Sequence, residues 1–236
     1  KERVIAWKRT RYEDLTIAEA EATLPESGPL RDEAESRLAA EAASHLDRAL
    51  PLDDPEVASF LARARCLAAW RPELDLPPFD DPALAALLPA LAAGRRSFAD
   101  LRRAPLLAAL EGTLTHAQRE TLRREAPERL EVPSGSQVRL LYETGRPPIL
   151  AARIQELFGL AETPRVAAGR VPVLLHLLAP NGRPQQVTHD LQSFWQNTYP
   201  QVKKELQGRY PKHAWPQDPK TASPERRPGR PRRGTT

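Results

Sequence analysis

Apolar and polar positions divide the chain into three stretches with different periods. Over the first 24 residues the period is two. Val4 and Ala6 fall on one side of a first strand and Ile5 and Trp7 on the other; after a polar Tyr12-Glu-Asp14 corner, Leu15 and Ile17 alternate with Asp14 and Thr16. The alternation fades at Ala18-Glu-Ala20, so an antiparallel pair of short strands is expected. From 30 to 126 the period becomes helical. Leu38, Ala42, Leu46 and Ala49 share one face, and Val57, Phe60, Leu61, Ala64 and Leu67 form another after an Asp54-Pro55 start. Asp81-Pro82 repeats that start before Leu84, Leu87, Leu88 and Leu91, with Gly94 placed to end the helix. Ser97 with Asp100, and Thr115 with Gln118, have capping-box spacing. Pro89 and Pro105 are expected to kink or divide the helices around them, because proline removes a donor and crowds the preceding turn.

After Pro127 the pattern mixes. Leu130 and Val132 lead through a Pro133-Ser-Gly-Ser136 turn to Val138, Leu140 and Tyr142, a hairpin signal. Pro147 to Leu160 reads as a short helix closed by Gly159. Val171 to Leu178 reads as a buried strand, Pro180-Asn-Gly-Arg183 as a turn, and Gln185 to Thr188 as the return strand. A helix is expected from about Thr188 to Leu206, bent at Pro200 and ended by Gly208. Beyond Pro219 the chain is rich in Pro, Arg and Gly and is expected to be disordered. The expected fold class is therefore α+β. It comprises a partial, OB-like β segment at 1–29, a helical array at 30–126, a mixed α/β C-terminal module at 127–219, and a disordered basic tail at 220–236.

Composition changes this picture in three ways. With 25 prolines among 236 residues, connections should be stiff. Methionine is absent, so the chain is expected to be a fragment or a processed product. The one cysteine, Cys66, rules out an internal disulfide; it lies on an apolar helix face, where a small buried hydrophobe is expected, and it fits a reducing, cytoplasmic setting. No apolar run approaches the roughly 20 residues of a membrane span, and no membrane partner is expected.

Charge is uneven. Of the net +4, residues 203–236 carry +7, from ten Lys/Arg against three acids, which leaves −3 on the rest. That asymmetry points to nucleic acid. It also draws attention to Gly208-Arg-Tyr-Pro-Lys-His-Ala-Trp-Pro-Gln-Asp-Pro219, where three prolines hold Tyr210, His213 and Trp215 on an extended strap. Lys203, Lys204, Arg209 and Lys212 are candidates for neutralising phosphates, and Tyr210, His213 and Trp215 for stacking on exposed bases. The alternative is that Tyr210 and Trp215 pack the strap onto the fold. In the tail, Gly229-Arg-Pro231 resembles an AT-hook core.

Catalytic patterns are missing. There is no phosphate-binding loop, no dinucleotide fingerprint and no metal-ligand spacing among His45, His116, His176, His189 and His213. Asp53-Asp54 and Asp80-Asp81 precede proline and are explained as caps. Ser134 and Ser136 lie in a turn with no base nearby in sequence. No catalytic residue, cofactor site or metal site is assigned in the chain.

Several phrases taken together carry a resemblance: Pro133-Ser-Gly-Ser136, Leu150-Ala-Ala-Arg-Ile-Gln-Glu-Leu-Phe-Gly159, Gly169-Arg-Val-Pro-Val173, Val187-Thr-His-Asp-Leu-Gln-Ser-Phe-Trp195, Val202-Lys-Lys-Glu-Leu-Gln-Gly-Arg-Tyr-Pro-Lys-His213 and Trp215-Pro-Gln-Asp-Pro219. Over roughly residues 127–222 the chain resembles the C-terminal region of bacterial HrpB-type ATP-dependent RNA helicases, DEAH-box enzymes of superfamily 2. It departs from the family wording at Ala179, where serine is expected, and at Ala214, where proline is common. The resemblance implies a parent whose RecA-like lobes lie upstream of Lys1 and carry ATP, Mg²⁺ and hydrolysis. It implies single-stranded RNA and those lobes as partners, and an accessory role in contacting RNA and bracing the motor. The rival expectation is a structural or protein-docking module in which Lys203, Lys204, Arg209 and Lys212 pair with acidic protein surfaces.

Overall fold

The structure is a computed structural model and describes residues 2–226. It divides into two compact units. Unit 1 comprises residues 1–61 and 77–115, and unit 2 comprises 62–76 and 116–236.

Unit 1 opens with a hairpin of β1 (Ala6–Tyr12) and β2 (Leu15–Ala22), paired antiparallel with a register shift between Thr10 and Arg11. The second strand runs on through the Ala/Glu alternation to Ala22, where the sequence pattern had become ambiguous. Trp7 and Tyr12 on the first strand and Leu15 and Ile17 on the second are each more than 60% exposed. The chain before the hairpin is tied down by Val4 N–H donating to Arg96 O (2.9 Å).

Helix α1 (Pro29–Ala43) buries Ala34, Leu38 and Ala42 at four-residue intervals. It stops before Ser44, so the expected face Leu38–Ala42–Leu46–Ala49 is shared with a separate short helix, α2 (Leu46–Ala49). Arg31 is buried on α1 and pairs with Glu35 at 2.6 Å. Glu35 also accepts from Gly94 N–H (2.8 Å), and that backbone bond, followed by Arg31, holds its carboxyl below the usual range. Helix α3 (Pro55–Trp70) starts at Asp54, whose Oδ1 accepts from the backbone of Glu56 and Val57. Its first residues belong to unit 1 and its remainder to unit 2.

Helices α4 (Asp81–Ala85) and α5 (Leu88–Ala92) are one expected helix divided in two, with Pro89 in the first turn of the second. The cap of α4 is Asp80, which accepts from Ala83 N–H at 3.0 Å; the expected Asp81 is the first helical residue. Helix α6 (Phe98–Leu101) shows the expected capping box, with Ser97 Oγ accepting from Asp100 N–H and donating to its carboxylate at 2.7 Å. Helix α7 (Leu106–Gly112) begins after Pro105. Leu50, Leu84, Leu88, Leu101, Leu106 and Leu110 fill the core of this unit, and Phe60 meets Phe79 edge-on at 5.5 Å.

Unit 2 contains the end of α3, then α8 (His116–Glu125), β3 (Arg129–Glu131), β4 (Gln137–Leu141), β5 (Ile149–Arg153), β6 (Arg165–Val166), β7 (Val171–Pro172), β8 (Leu174–Leu178), β9 (Pro184–Thr188), α9 (Leu191–Ser193) and α10 (Tyr199–Arg209). Five strands form one sheet in the order β3-β4-β5-β8-β9. Both expected turns are present, at Pro133–Ser136 between β3 and β4 and at Pro180–Arg183 between β8 and β9.

Residues 147–160 correct the sequence reading. They form β5 followed by a 3-10 turn, Ile154–Leu157, where a helix was expected. Ile149–Arg153 is the central strand, antiparallel to β4 and parallel to β8. Pairing on both sides outweighs the helix preference of Leu150-Ala-Ala152. Leu140, Leu150, Ala152, Leu175 and Leu177 point to the buried side.

The expected helix from Thr188 is also interrupted. It is α9, a π-helical turn at Phe194–Thr198, then α10 with Pro200 in its first turn. Gly208 lies within α10, which ends at Tyr210. Phe158, Trp195 and Tyr199 form an aromatic cluster with ring centroids 5.3–6.1 Å apart, and Trp195 Nε1–H donates to Leu160 O (2.8 Å).

Candidate nucleic-acid interface

The strap after α10 is built into unit 2 by a series of polar contacts. Tyr210 N–H donates to Leu206 O, and Tyr210 O in turn accepts from His213 N–H (3.2 Å) and from Trp215 Nε1–H (3.0 Å). Pro216 O accepts from Tyr199 Oη (3.1 Å) and from Lys203 Nζ (3.3 Å); the same ammonium reaches Gln217 Oε1 at 2.7 Å. Further on, Pro219 O accepts from Gly159 N–H (2.9 Å). Gly159 has φ +86°, so the backbone conformation favours glycine where the strap crosses.

Residues 220–226 continue this arrangement. Glu225 N–H donates to Gln155 O (2.9 Å), and its carboxylate accepts from Ala214 N–H (3.0 Å). These bonds tie residues as far as Glu225 to unit 2, so the disorder expected from residue 220 does not describe Lys220–Glu225. The AT-hook-like Gly229-Arg-Pro231 lies outside the described residues.

The expected contact residues separate into two groups. Trp215 is 8% exposed with its N–H bonded, so its ring packs the strap instead of facing a base. Lys203 holds Pro216 and Gln217. Tyr210 and His213 are half-buried and meet edge-on at 6.2 Å. Lys204, Arg209 and Lys212 are exposed. At 100° per residue, Lys203, Lys204 and Arg209 leave α10 in three different directions, so the helix does not gather them into one groove.

Two arrangements in unit 2 had no signal in the local sequence. Arg71 lies between Glu73 (2.8 Å) and Glu125, Arg170 also reaches Glu73 (2.5 Å), and Arg124 reaches Glu125 (3.2 Å). Hydrogen bonds, from its own backbone first and then from Arg71 and Arg170, pull the Glu73 carboxyl down to about 2. Arg170 follows Ala167, Ala168 and Gly169, all at positive φ, and Ala167 N–H donates to Glu125 O (2.8 Å). The network thus holds a loop whose two alanines are in the left-handed region. The second arrangement is at the Pro133–Ser136 turn. Glu156, distant in sequence, accepts from Ser136 Oγ at 2.7 Å, and Ser134 Oγ donates to Ser136 Oγ at 3.0 Å. These bonds lock the turn to the 3-10 turn after β5. Cys66 is buried and its thiol is pushed up to about 11 by desolvation, so it stays protonated.

Comparison with known proteins gives one consistent result. A family model described as "ATP-dependent helicase C-terminal", HrpB_C, matches residues 87–219. The chain is 44% identical over 170 residues to "ATP-dependent RNA helicase HrpB" of Escherichia coli (strain K12), covering 70% of this chain and 21% of that protein. It superposes on "Crystal structure of E. coli DExH-box NTPase HrpB" with a TM-score of 0.80 and 34% identity, covering 96% of this chain and 29% of that one. A second structure, "Crystal structure of Escherichia coli DEAH/RHA helicase HrpB", gives a TM-score of 0.68 at 34% identity, covering 91% and 28%. The chain spans about a fifth of the length of the curated relative and under a third of the crystallised chains. By that match, which takes in α5–α7 of unit 1 and the sheet, α10 and strap of unit 2, the chain belongs to the HrpB-type ATP-dependent helicase C-terminal family.

Proposed function

We propose that this chain is the accessory C-terminal region of an ATP-dependent RNA helicase. In this reading unit 2 contacts single-stranded RNA, and the chain braces RecA-like motor lobes that lie elsewhere in the polypeptide and use ATP and Mg²⁺. The observation that carries the reading is the segregation of charge between the two units. Unit 1 holds 12 Lys/Arg against 18 Asp/Glu, a net of −6, whereas unit 2 holds 23 against 13, a net of +10. A positive unit in a chain whose remainder is acidic concentrates a polyanion on one body. Lys204, Arg209 and Lys212 are among the exposed cations that would meet phosphates, with the half-buried Tyr210 and His213 beside them. Lys203 and Trp215 hold the strap. The exposed Trp7, Tyr12, Leu15 and Ile17 of the hairpin fit the same reading: a two-stranded hairpin with uncovered apolar side chains needs further strands to cover them, as in an OB-like barrel.

The docking alternative has one observation in its favour, the burial of Trp215. The two readings part on salt dependence. Fluorescence anisotropy of the 236-residue chain with a labelled oligouridylate, measured from low to physiological salt, should give affinity that falls steeply with salt. A Lys204→Ala/Arg209→Ala/Lys212→Ala variant should lower the slope by about 2, from about 0.7 per phosphate contact. Absence of binding at low salt by a folded chain would favour docking.

A further inference from the structure

The strap keeps its largest aromatic ring inside the fold, yet unit 2 has one broad surface where unpaired cations and accessible apolar side chains lie together. It is the side of the five-stranded sheet opposite the buried leucines. Alternation along the strands defines it: Arg129, Arg139, Ala151, Arg153 and Val187 are exposed, and His176 is half-buried. Register places these residues in line. Arg129 pairs with Arg139, Ala151 with His176, and His176 with Val187. Continuing the Leu140–Leu150 pairing by one residue brings Arg139 level with Ala151, so one row crosses all five strands over roughly 19 Å. A parallel row, Leu141–Ile149–Leu174, lies beside it, with Leu141 55% exposed.

Two features of this face point to a ligand with negative charge. Arg129 and Arg139 stand directly opposite each other, an arrangement that destabilises a sheet when no anion intervenes. The carboxylate closest in register, Glu131, is paired with Gln137, whose amide donates to it at 3.1 Å. Arg129 spends one N–H on a backbone oxygen, Gln137 O (3.2 Å). Among the described residues the side chains of Arg139 and Arg153 have neither an ion-pair nor a hydrogen-bond partner. A second copy of the chain laid on this face would set arginine against arginine, so self-association is disfavoured.

We propose that this open sheet face binds single-stranded RNA, with Arg129, Arg139 and Arg153 on phosphates and Leu141, His176 and Val187 against base faces. The proposal rests on the reading that unit 2 contacts RNA, and it names the surface. Guanidinium groups present planar, forked donors suited to phosphate oxygens. The small Ala151 in the middle of the row leaves room for a base to approach the sheet. The aliphatic floor supplies contact that does not depend on base identity, so binding should be largely indifferent to sequence.

The test uses the whole chain and labelled oligouridylate, with two variants in addition to wild type. Arg139→Glu/Arg153→Glu reverses two unpartnered surface charges and should not lower the melting temperature, since the carboxylate introduced at position 139 would stand opposite Arg129. It should weaken binding at least tenfold and lower the salt slope by about 1.4, for two phosphate contacts. Leu141→Ser/Val187→Ser should weaken binding several-fold with the slope unchanged, because it removes contact without charge. If wild type binds and both variants bind equally well, the sheet-face proposal is overturned while RNA contact by the chain stands, and the face is left for an acidic protein segment. If folded wild type does not bind at all, both fail together.

Discussion

Replacing Trp215 with alanine separates a strap that is structural from one that stacks on bases. Trp215 is 8% exposed, and its indole N–H is bonded to Tyr210 O at 3.0 Å. A tryptophan side chain buries roughly 150–250 Å². At about 25 cal/mol per Å² that burial is worth about 4–6 kcal/mol, of which the alanine methyl keeps about 1 kcal/mol, and the lost indole hydrogen bond adds less than about 1 kcal/mol because Tyr210 O keeps His213 N–H as a donor. The expected loss is therefore about 4 kcal/mol, a large part of the stability of a domain this size. Trp215→Phe keeps most of the burial and loses the N–H, so it should cost about 2 kcal/mol. Urea unfolding followed by circular dichroism reads the global term. Amide exchange at Gly159, whose N–H is held by Pro219 O, reads local opening of the strap and should accelerate in both variants. A Trp215→Ala protein within 0.5 kcal/mol of wild type, with unchanged Gly159 exchange and sharply weaker RNA binding, would refute the packing argument and restore Trp215 as a stacking residue.

Three further outcomes are expected. Glu73 has its pKa depressed from 4.5 to about 2, so its contribution to stability is complete above about 4.5 and is lost as pH falls toward 2; Glu73→Gln should flatten acid unfolding in that window, and an unchanged acid limb would contradict the Arg71–Glu73–Arg170 linkage. Ala168 is exposed at φ +53°, so Ala168→Gly should stabilise by about 0.5–1 kcal/mol in thermal unfolding, whereas destabilisation would mean the backbone there is not left-handed. Cys66, buried with its thiol raised to about 11, should react with a disulfide reagent only after unfolding; fast reaction of the native chain would count against its burial.

What the sequence made legible was local chemistry. Asp54 and Ser97 cap the helices that their spacing indicates, Pro89 divides a helix, and Pro133-Ser-Gly-Ser136 and Pro180-Asn-Gly-Arg183 turn the chain where expected. Asp80 replaces Asp81 as a cap because either aspartate suits the same Pro82 start. What escaped was decided by partners remote in the chain. Leu150-Ala-Ala-Arg153 has a helix-forming composition and is a central strand because β4 and β8 flank it. Arg71 and Glu125 are 54 residues apart and Ser136 and Glu156 are 20 apart, so no spacing rule connects them.

The strap shows the same limit at the candidate site. Three prolines correctly mark an extended segment, but they do not distinguish an aromatic turned toward the fold from one turned toward a ligand. Trp215 is turned inward, where Tyr210 O accepts its indole N–H. The row Arg129–Arg139–Ala151–His176–Val187 exists only once the register of five strands is known. In the sequence those residues are scattered over 59 positions and carry no common motif.

The most direct measurement of the central claim is hydrogen exchange of the intact chain with and without saturating single-stranded RNA at low salt. The account predicts slowed exchange confined to unit 2, in β4, β5 and β8 and around the exposed end of α10, with the unit 1 helices unchanged. Protection concentrated in the acidic unit 1, or none anywhere in a folded chain that has been shown to bind RNA, would contradict it.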